Sequence, residues 1–173
     1  MLFNVANLLK TPSGKKQLDR MDEEFDLGFS TSIGVVSGTV LMVRTDIGVW
    51  VSAKLDAFIK LECVNCLKEY DQTLFLNIEE EYVPYLDLIS KKVVNIDDHE
   101  SLFRIENDNL IDLSRAVLEY SHLSCPMNPK CSDGCMGICI ECGSNRNNSE
   151  CDCEVMRKDS RWSPLYDLAK ALN

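Results

Sequence analysis

The stretch Ile47-Gly48-Val49-Trp50-Val51-Ser52-Ala53-Lys54-Leu55-Asp56-Ala57-Phe58-Ile59-Lys60-Leu61 carries the clearest periodic signal in the chain. Every odd position is apolar, and the even positions hold Gly48, Trp50, Ser52, Lys54, Asp56, Phe58 and Lys60. Side chains of an extended backbone point alternately to opposite faces, so a period of two predicts a long strand with one face buried. Before it, residues 35–44 are β-branched and apolar, and Thr45-Asp46-Ile47-Gly48 supplies turn chemistry, which predicts a hairpin. After it, residues 73–83 alternate on Leu74, Leu76, Ile78 and Tyr82. That adds a third antiparallel strand, the minimum for a sheet with stability of its own. On the even face Trp50 and Phe58 stand with Lys54 and Lys60, a combination also found on base-stacking surfaces. A second packed layer over this face is the expectation.

Working outward, Asn4 to Lys10 reads as a short helix capped by Asn4, with Val5, Leu8 and Leu9 on one side and Thr11-Pro12-Ser13-Gly14 as its stop. Residues 15–32 read as a polar connection. Residues 87–109 read as an acidic loop. Asp112 is placed to cap a helix whose Leu113, Ala116, Val117 and Tyr120 share a face, ending before Cys125-Pro126. Ser163 and Pro164 open a last helix with Leu165, Leu168, Ala169 and Leu172 on its apolar side. The expected class is α+β: a small antiparallel β-meander with flanking helices over residues 1–124. A cysteine-rich zinc module plus C-terminal helix then occupies residues 125–173, packed on the first domain.

Seven of the nine cysteines lie between Cys125 and Cys153. Cys139-Ile140-Glu141-Cys142-Gly143 is a CxxC followed by glycine, and Cys151-Asp152-Cys153 is a CxC. Two short pairs separated by a polar loop are what a tetrahedral thiolate site requires, because each tight turn presents two ligands. Cys139, Cys142, Cys151 and Cys153 are therefore the first ligand set for a structural zinc ion. Cys135 or Cys131 could replace one member of the strained CxC. An iron–sulfur cluster uses the same ligands, and spacing alone does not separate the two. A second CxxC, Cys63-Val64-Asn65-Cys66, leaves the end of the long strand. It reads as half of a metal site completed by the distant cysteines, as a redox pair, or as two thiols in a turn. Its strand flanks argue against a thioredoxin-like motif, and a knuckle near the zinc module is preferred.

A length of 173 residues holds one substantial domain or one domain with a small module. The odd, unevenly placed cysteines point to a module and not to a disulfide framework. Residues 1–10 lack the basic start and apolar core of a secretory leader, and the apolar run from Ile33 to Val43 is too short to span a bilayer. Those features predict a cytoplasmic protein without a membrane segment, its thiols reduced and available to metal. The formal net charge of −10 disfavours a protein that coats nucleic acid, since phosphate binding rests on Lys and Arg. The balance is uneven. Residues 1–20 carry Lys10, Lys15, Lys16 and Arg20 against Asp19, whereas residues 77–112 are strongly acidic and hold only Lys91, Lys92 and Arg104 as bases. An acidic middle suits a basic protein partner. Catalytic groupings are absent from the sequence. His99 and His122 have no nucleophile to pair with, Glu79-Glu80-Glu81 must alternate faces, and no glycine-rich phosphate loop occurs. A non-enzymatic protein without a small-molecule substrate is expected. A redox-responsive zinc-thiolate regulator is the rival reading, and it requires low-pKa thiolates in a labile site.

The chain resembles the YceD family of bacteria and plastids in four features taken in order. These are an N-terminal Asn4-Val5-Ala6-Asn7-Leu8-Leu9 followed by a glycine; a strand leading into Cys63, Cys66 and Leu67; Glu79-Glu80-Glu81-Tyr82; and a final block. The block comprises Cys135, Gly137, Cys139, Cys142, Gly143, Asn145, Asn147, Cys151, Cys153, Asp159 and Arg161. Ile140 and Ser160 stand where proline is usual, Arg146 where leucine is usual and Met136 where a basic residue is usual; Cys125 is extra. The resemblance implies a non-enzymatic role in accumulation of large-subunit ribosomal RNA and assembly of that subunit. It also implies a basic ribosomal protein or the pre-ribosomal large subunit as partner, with rRNA contacted indirectly.

Overall fold

The computed structural model of the chain describes residues 1–29, 33–85, 103–105, 108–153, 160–162, 164, 165 and 168. The elements in order are β1 (Leu2–Asn4), α1 (Ala6–Leu9), β2 (Lys16–Phe25), β3 (Gly34–Arg44), β4 (Val49–Glu62), β5 (Glu69–Pro84), β6 (Phe103–Ile105), β7 (Leu110–Asp112) and α2 (Ser114–Ser124), with a 3-10 turn at Ser160–Trp162. The fold is sheet-rich with few helices. A five-stranded sheet runs β2-β3-β4-β5-β6, and β1 pairs with β7 apart from it.

The alternating stretch forms β4. Its odd positions from Val49 to Leu61 are buried without exception, and Trp50, Lys54, Asp56, Phe58 and Lys60 are exposed. The strand begins two residues later than the periodicity suggests, because Ile47 belongs to the turn and is exposed. Thr45 closes that turn: its N–H donates to the Gly48 carbonyl (3.0 Å), and its Oγ1 accepts the Gly48 N–H (2.9 Å). The Arg44 guanidinium donates to the carbonyls of Thr45 (2.5 Å) and Gly48 (2.6 Å). Both neighbours of β4 are antiparallel, and all fourteen β4 residues have a partner in β5, from Val49 opposite Tyr82 to Glu62 opposite Glu69.

The sheet is wider than the three strands expected. The polar connection read over residues 15–32 is in fact mostly strand: β2 pairs with β3 residue for residue, from Lys16 opposite Val43 to Phe25 opposite Gly34. Its sequence hid this because only Met21 is buried. An edge strand bonded on one side can be charged on both faces, and such charge discourages pairing with another chain. Part of the acidic loop read over 87–109 is likewise strand. β6 joins β5 in parallel, from Phe103 opposite Tyr82 to Ile105 opposite Pro84, while β7 begins just past that stretch at Leu110. Residues 86–102 and 106–107, including His99, lie outside the described residues, as do Ser163, Ala169 and Leu172 of the expected last helix. Pro164, Leu165 and Leu168 are helical and exposed.

The inner face of the sheet, α1, α2 and β1/β7 share one hydrophobic core. Val5, Leu8 and Leu9 are buried as expected of an amphipathic turn. Asn4 serves one residue early: the helix is capped at Val5, and the Asn4 side chain accepts the Ala6 N–H (3.0 Å). Asp112 does the same for Ser114 (2.9 Å). Leu113, Ala116 and Val117 are fully buried, and Tyr120 donates to Glu80 Oε1 (2.9 Å). Cys125 is extended, as the residue before proline must be. The second layer expected over the even face is not found among the described residues; Phe58 and Phe75 are 50% and 77% exposed. None of the described helices is long and apolar enough to cross a membrane.

By internal contacts the chain forms two compact units, Met1–Glu62 with Glu69–Pro129, and Cys63–Lys68 with Lys130–Asn173. The turn Cys63–Lys68 thus groups with the cysteine-rich segment and not with the strands that flank it in sequence.

Adjacent residues of β5 test this register. Leu76 is 2% exposed and Phe75 faces out. Leu76→Ala should cost about 2–5 kcal/mol through lost burial and a cavity, whereas Phe75→Ser should stay within about 0.5 kcal/mol of wild type. Urea unfolding of the two variants measures the difference, and equal losses would contradict the assigned faces.

Candidate metal centre

Eight of the nine cysteines gather into two tetrads, both within the second unit. Cys139, Cys142, Cys151 and Cys153 form one; Cys63, Cys66, Cys131 and Cys135 form the other. Within each set the sulfurs lie within 4.8 Å of one another. Cys131 and Cys135, which the spacing offered as substitutes in the Cys139 set, stand instead with the strand-end CxxC. Cys125, half-buried, belongs to neither tetrad, and all nine thiols are free of disulfide bonds. His122 packs against the ring of Phe29 (4.7 Å between centroids).

The Cys139 set is built on a tight turn. The Gly143 N–H donates to the Cys139 carbonyl (2.8 Å), and the Cys139 N–H donates to the Ser144 carbonyl (2.8 Å). Gly143 sits at φ +73°, a left-handed conformation that glycine adopts without strain. This curls the backbone N–H groups of Cys142 and then Glu141 toward the Cys139 sulfur and holds that thiol below the ordinary range. Cys142 is pulled down to about 6, first by the Ser144 hydroxyl, 3.0 Å from its sulfur, then by the Ser144 backbone. Cys153 is pushed up to about 12 by its hydrogen bond to Cys142 and by burial. In the other set, a backbone hydrogen bond from Cys131 outweighs desolvation and draws Cys63 to about 6. Cys131 is pushed up to about 12, chiefly by its side-chain hydrogen bond with Cys135. Each tetrad therefore sets a thiol of lowered pKa beside one that holds its proton. A divalent ion that replaces those protons relieves the repulsion between four sulfurs, so either cluster could hold a metal ion.

The ligand segments are tied to one another by backbone. Ile138 donates to the Asn65 carbonyl (3.0 Å), and Arg146 donates to the Gly137 carbonyl (2.9 Å). Ile138 bridges to Asn145. The Asn147 amide joins in: its Oδ1 accepts the Met136 N–H (2.8 Å), and its Nδ2 donates to Cys135 Sγ (3.3 Å) and to Asn145 Oδ1 (2.9 Å). Residues 135–147 thus run between the two sets and support a sulfur of each. Sequence reasoning raised a metal site completed by the distant cysteines as one reading of Cys63 and Cys66, but it did not identify Cys131 and Cys135 as the partners. The available signal was a CxxC and a CxxxC with no partners of their own, more than sixty residues apart.

Residues 51–169 match the family described as Large ribosomal RNA subunit accumulation protein YceD, a span that takes in both tetrads. The chain belongs to the YceD family. Two plant relatives share 34% identity with it, each over 36% of this chain. They are the Large ribosomal RNA subunit accumulation protein YCED homolog 1, chloroplastic, of Arabidopsis thaliana, matched over 62 residues and 19% of its length, and its Zea mays counterpart, matched over 64 residues and 22% of its length. The chain spans about a fifth of the length of these relatives. No solved structure matches it.

Two glycines of this YceD-family block separate backbone strain from crowding. Gly137 and Gly143 have nearly equal φ (+72° and +73°), but a Cβ on Gly137 would lie 3.0 Å from the Asn65 carbonyl oxygen, while one on Gly143 meets nothing within 4 Å. Gly143→Ala should cost about 1–2 kcal/mol, the left-handed penalty alone. Gly137→Ala should cost at least about 1 kcal/mol more, because it pushes apart the backbone pair joining Ile138 to Asn65. Thermal unfolding with a chelator challenge reads both, and equal effects would count against that junction.

Proposed function

We propose that this YceD-family protein supports accumulation of large-subunit rRNA, and hence large-subunit assembly, without catalysing a reaction. Membership of the family over residues 51–169 carries this reading, together with relatives named for accumulation of that RNA. The protein acts through protein contacts in the cytoplasm: a basic ribosomal protein or the pre-ribosomal large subunit is its partner, and rRNA is touched indirectly. The charge supports that choice. A chain of net charge −10 repels phosphate and attracts a basic protein, and long-range attraction of this kind raises association rates.

In this reading the Cys139, Cys142, Cys151 and Cys153 set binds a structural zinc ion. A site with four thiolates leaves no open position for water or substrate, so it shapes the chain instead of doing chemistry. The partner, not the metal, then decides the biological outcome.

Cys142 favours a second reading. It is exposed and its thiol is pulled down to about 6, so it is the most reactive ligand of its set. Peroxide could oxidise it with a neighbouring thiolate to a disulfide, the peroxide being reduced to water as the metal leaves. Retention of the metal under mild peroxide excludes this redox-responsive alternative.

Affinity capture of the protein from lysate, with ribosomal proteins and rRNA quantified across salt, tests the main reading. A basic large-subunit protein should be retained at low salt and released as salt rises, since screening weakens exposed charge contacts. Depletion of the protein should lower large-subunit rRNA relative to small-subunit rRNA. Capture of neither class of partner at low salt would sink the reading.

A further inference from the structure

We propose that Cys63, Cys66, Cys131 and Cys135 form a second tetrahedral zinc centre, which fastens the turn between β4 and β5 to the segment Cys131–Cys135. This inference rests on backbone geometry and is independent of the partner proposed above; only its expected total of two ions rests on the zinc reading of the Cys139 set.

The two CxxC turns are built alike. In the Cys139 turn the fifth residue, Gly143, donates its N–H to the first cysteine's carbonyl, and the first cysteine's N–H donates to the sixth residue, Ser144. In the Cys63 turn Leu67 donates to the Cys63 carbonyl (2.9 Å), and the Cys63 N–H donates to the Lys68 carbonyl (3.0 Å). The match extends to the fifth residue's backbone, with Gly143 at φ +73° and Leu67 at φ +56°. Leucine in the left-handed region is strained by contact of its Cβ with the backbone. Leu67 is 57% exposed, so its own burial does not offset that strain. Strain of this sort persists where the surroundings demand it, and what this turn shares with the Cys139 turn is the presentation of two sulfurs to one point.

The sulfur spacing fits an ion. Metal–sulfur bonds of about 2.3 Å in a tetrahedron put the sulfurs about 3.8 Å apart. Cys63 Sγ lies 3.8 Å from Cys135 Sγ, and Cys66 Sγ lies 3.7 Å from Cys131 Sγ. Disulfide-bonded sulfurs would be about 2 Å apart. Cys63 and Cys66 are buried, which suits a closed structural site, and the Asn147 amide donates to Cys135 from outside the ligand set, as partners of metal-bound thiolates do. Asn147 lies on the loop between Cys142 and Cys151, so a residue carried by one centre steadies a ligand of the other. Four thiolates with no open position again exclude a catalytic role.

Counting metal in the full-length protein tests the proposal. Wild type should hold two zinc ions per chain, Cys142→Ser one, Cys66→Ser one, and the double variant none. Cobalt exchanged for zinc should show four-thiolate charge-transfer bands at two equivalents, halved in either single variant. Two variants expected to fold extend the test in the Cys142→Ser background. Asn147→Ala should hasten loss of the remaining ion to a chelator several-fold, and Leu67→Gly, which keeps the turn and removes its strain, should slow that loss. A single ion in wild type that Cys66→Ser retains and Cys142→Ser loses, two ions retained by Cys66→Ser, or iron in place of zinc at this tetrad would overturn the proposal; a single ion lost only by Cys66→Ser would instead overturn the zinc reading of the Cys139 set.

Discussion

Pairing of β4 on both of its edges is the constraint from which the rest of the unit containing it follows. Its seven odd positions are buried and its partners are set along its whole length. A slip of one residue would turn that entire apolar row to solvent, so the register has no near competitor. Because Glu62 stands opposite Glu69, the turn between β4 and β5 must be Cys63–Lys68. A requirement for hydrophobic burial in the sheet thereby decides where the first two cysteines of a metal-capable set begin.

The open face of the sheet follows from the same register. Lys16, Arg20 and Lys54 are exposed there among Asp22, Asp56 and Glu79, and Lys60 pairs with Asp71 at 3.1 Å. Exposed pairs of this kind contribute little to stability. Mixed signs also give no single-sign track for phosphates, despite the exposed rings of Trp50, Phe58 and Phe75. The Glu79-Glu80-Glu81 run is divided by the pleat: Glu80 accepts from Tyr120, while Glu81 accepts from Thr45 (2.7 Å). Two of these three acids are thus structural acceptors.

In the second unit the organising force is different. In the segment 130–153 only Gly137 and Cys139 are buried. Small segments that cannot bury a core commonly rely on metal or covalent links. Two cysteine tetrads that could each hold a metal ion, sharing the supports Ile138–Asn65, Arg146–Gly137 and Asn147–Cys135, are placed to supply such links. The Asn-rich loop between Cys142 and Cys151, which in sequence is only a polar spacer, is therefore part of the ligand scaffold.

Period-two alternation made β3, β4 and β5 legible, because burial on one face leaves a pattern in every other residue. Helical spacing did the same for Leu113, Ala116 and Val117, and the short spacings Cys139–Cys142 and Cys151–Cys153 marked one local ligand set. β2 escaped, since an edge strand with only Met21 buried need not alternate. The three-residue β6 and β7 are too short to show a period. The sequence by itself determined which segments bury a face and that the thiols come in chelating pairs, because both are properties of neighbours in the chain. Only the tertiary structure decided that Cys63 and Cys66 meet Cys131 and Cys135 and not the Cys139 set. That choice depends on two segments more than sixty residues apart converging, and no local spacing encodes it.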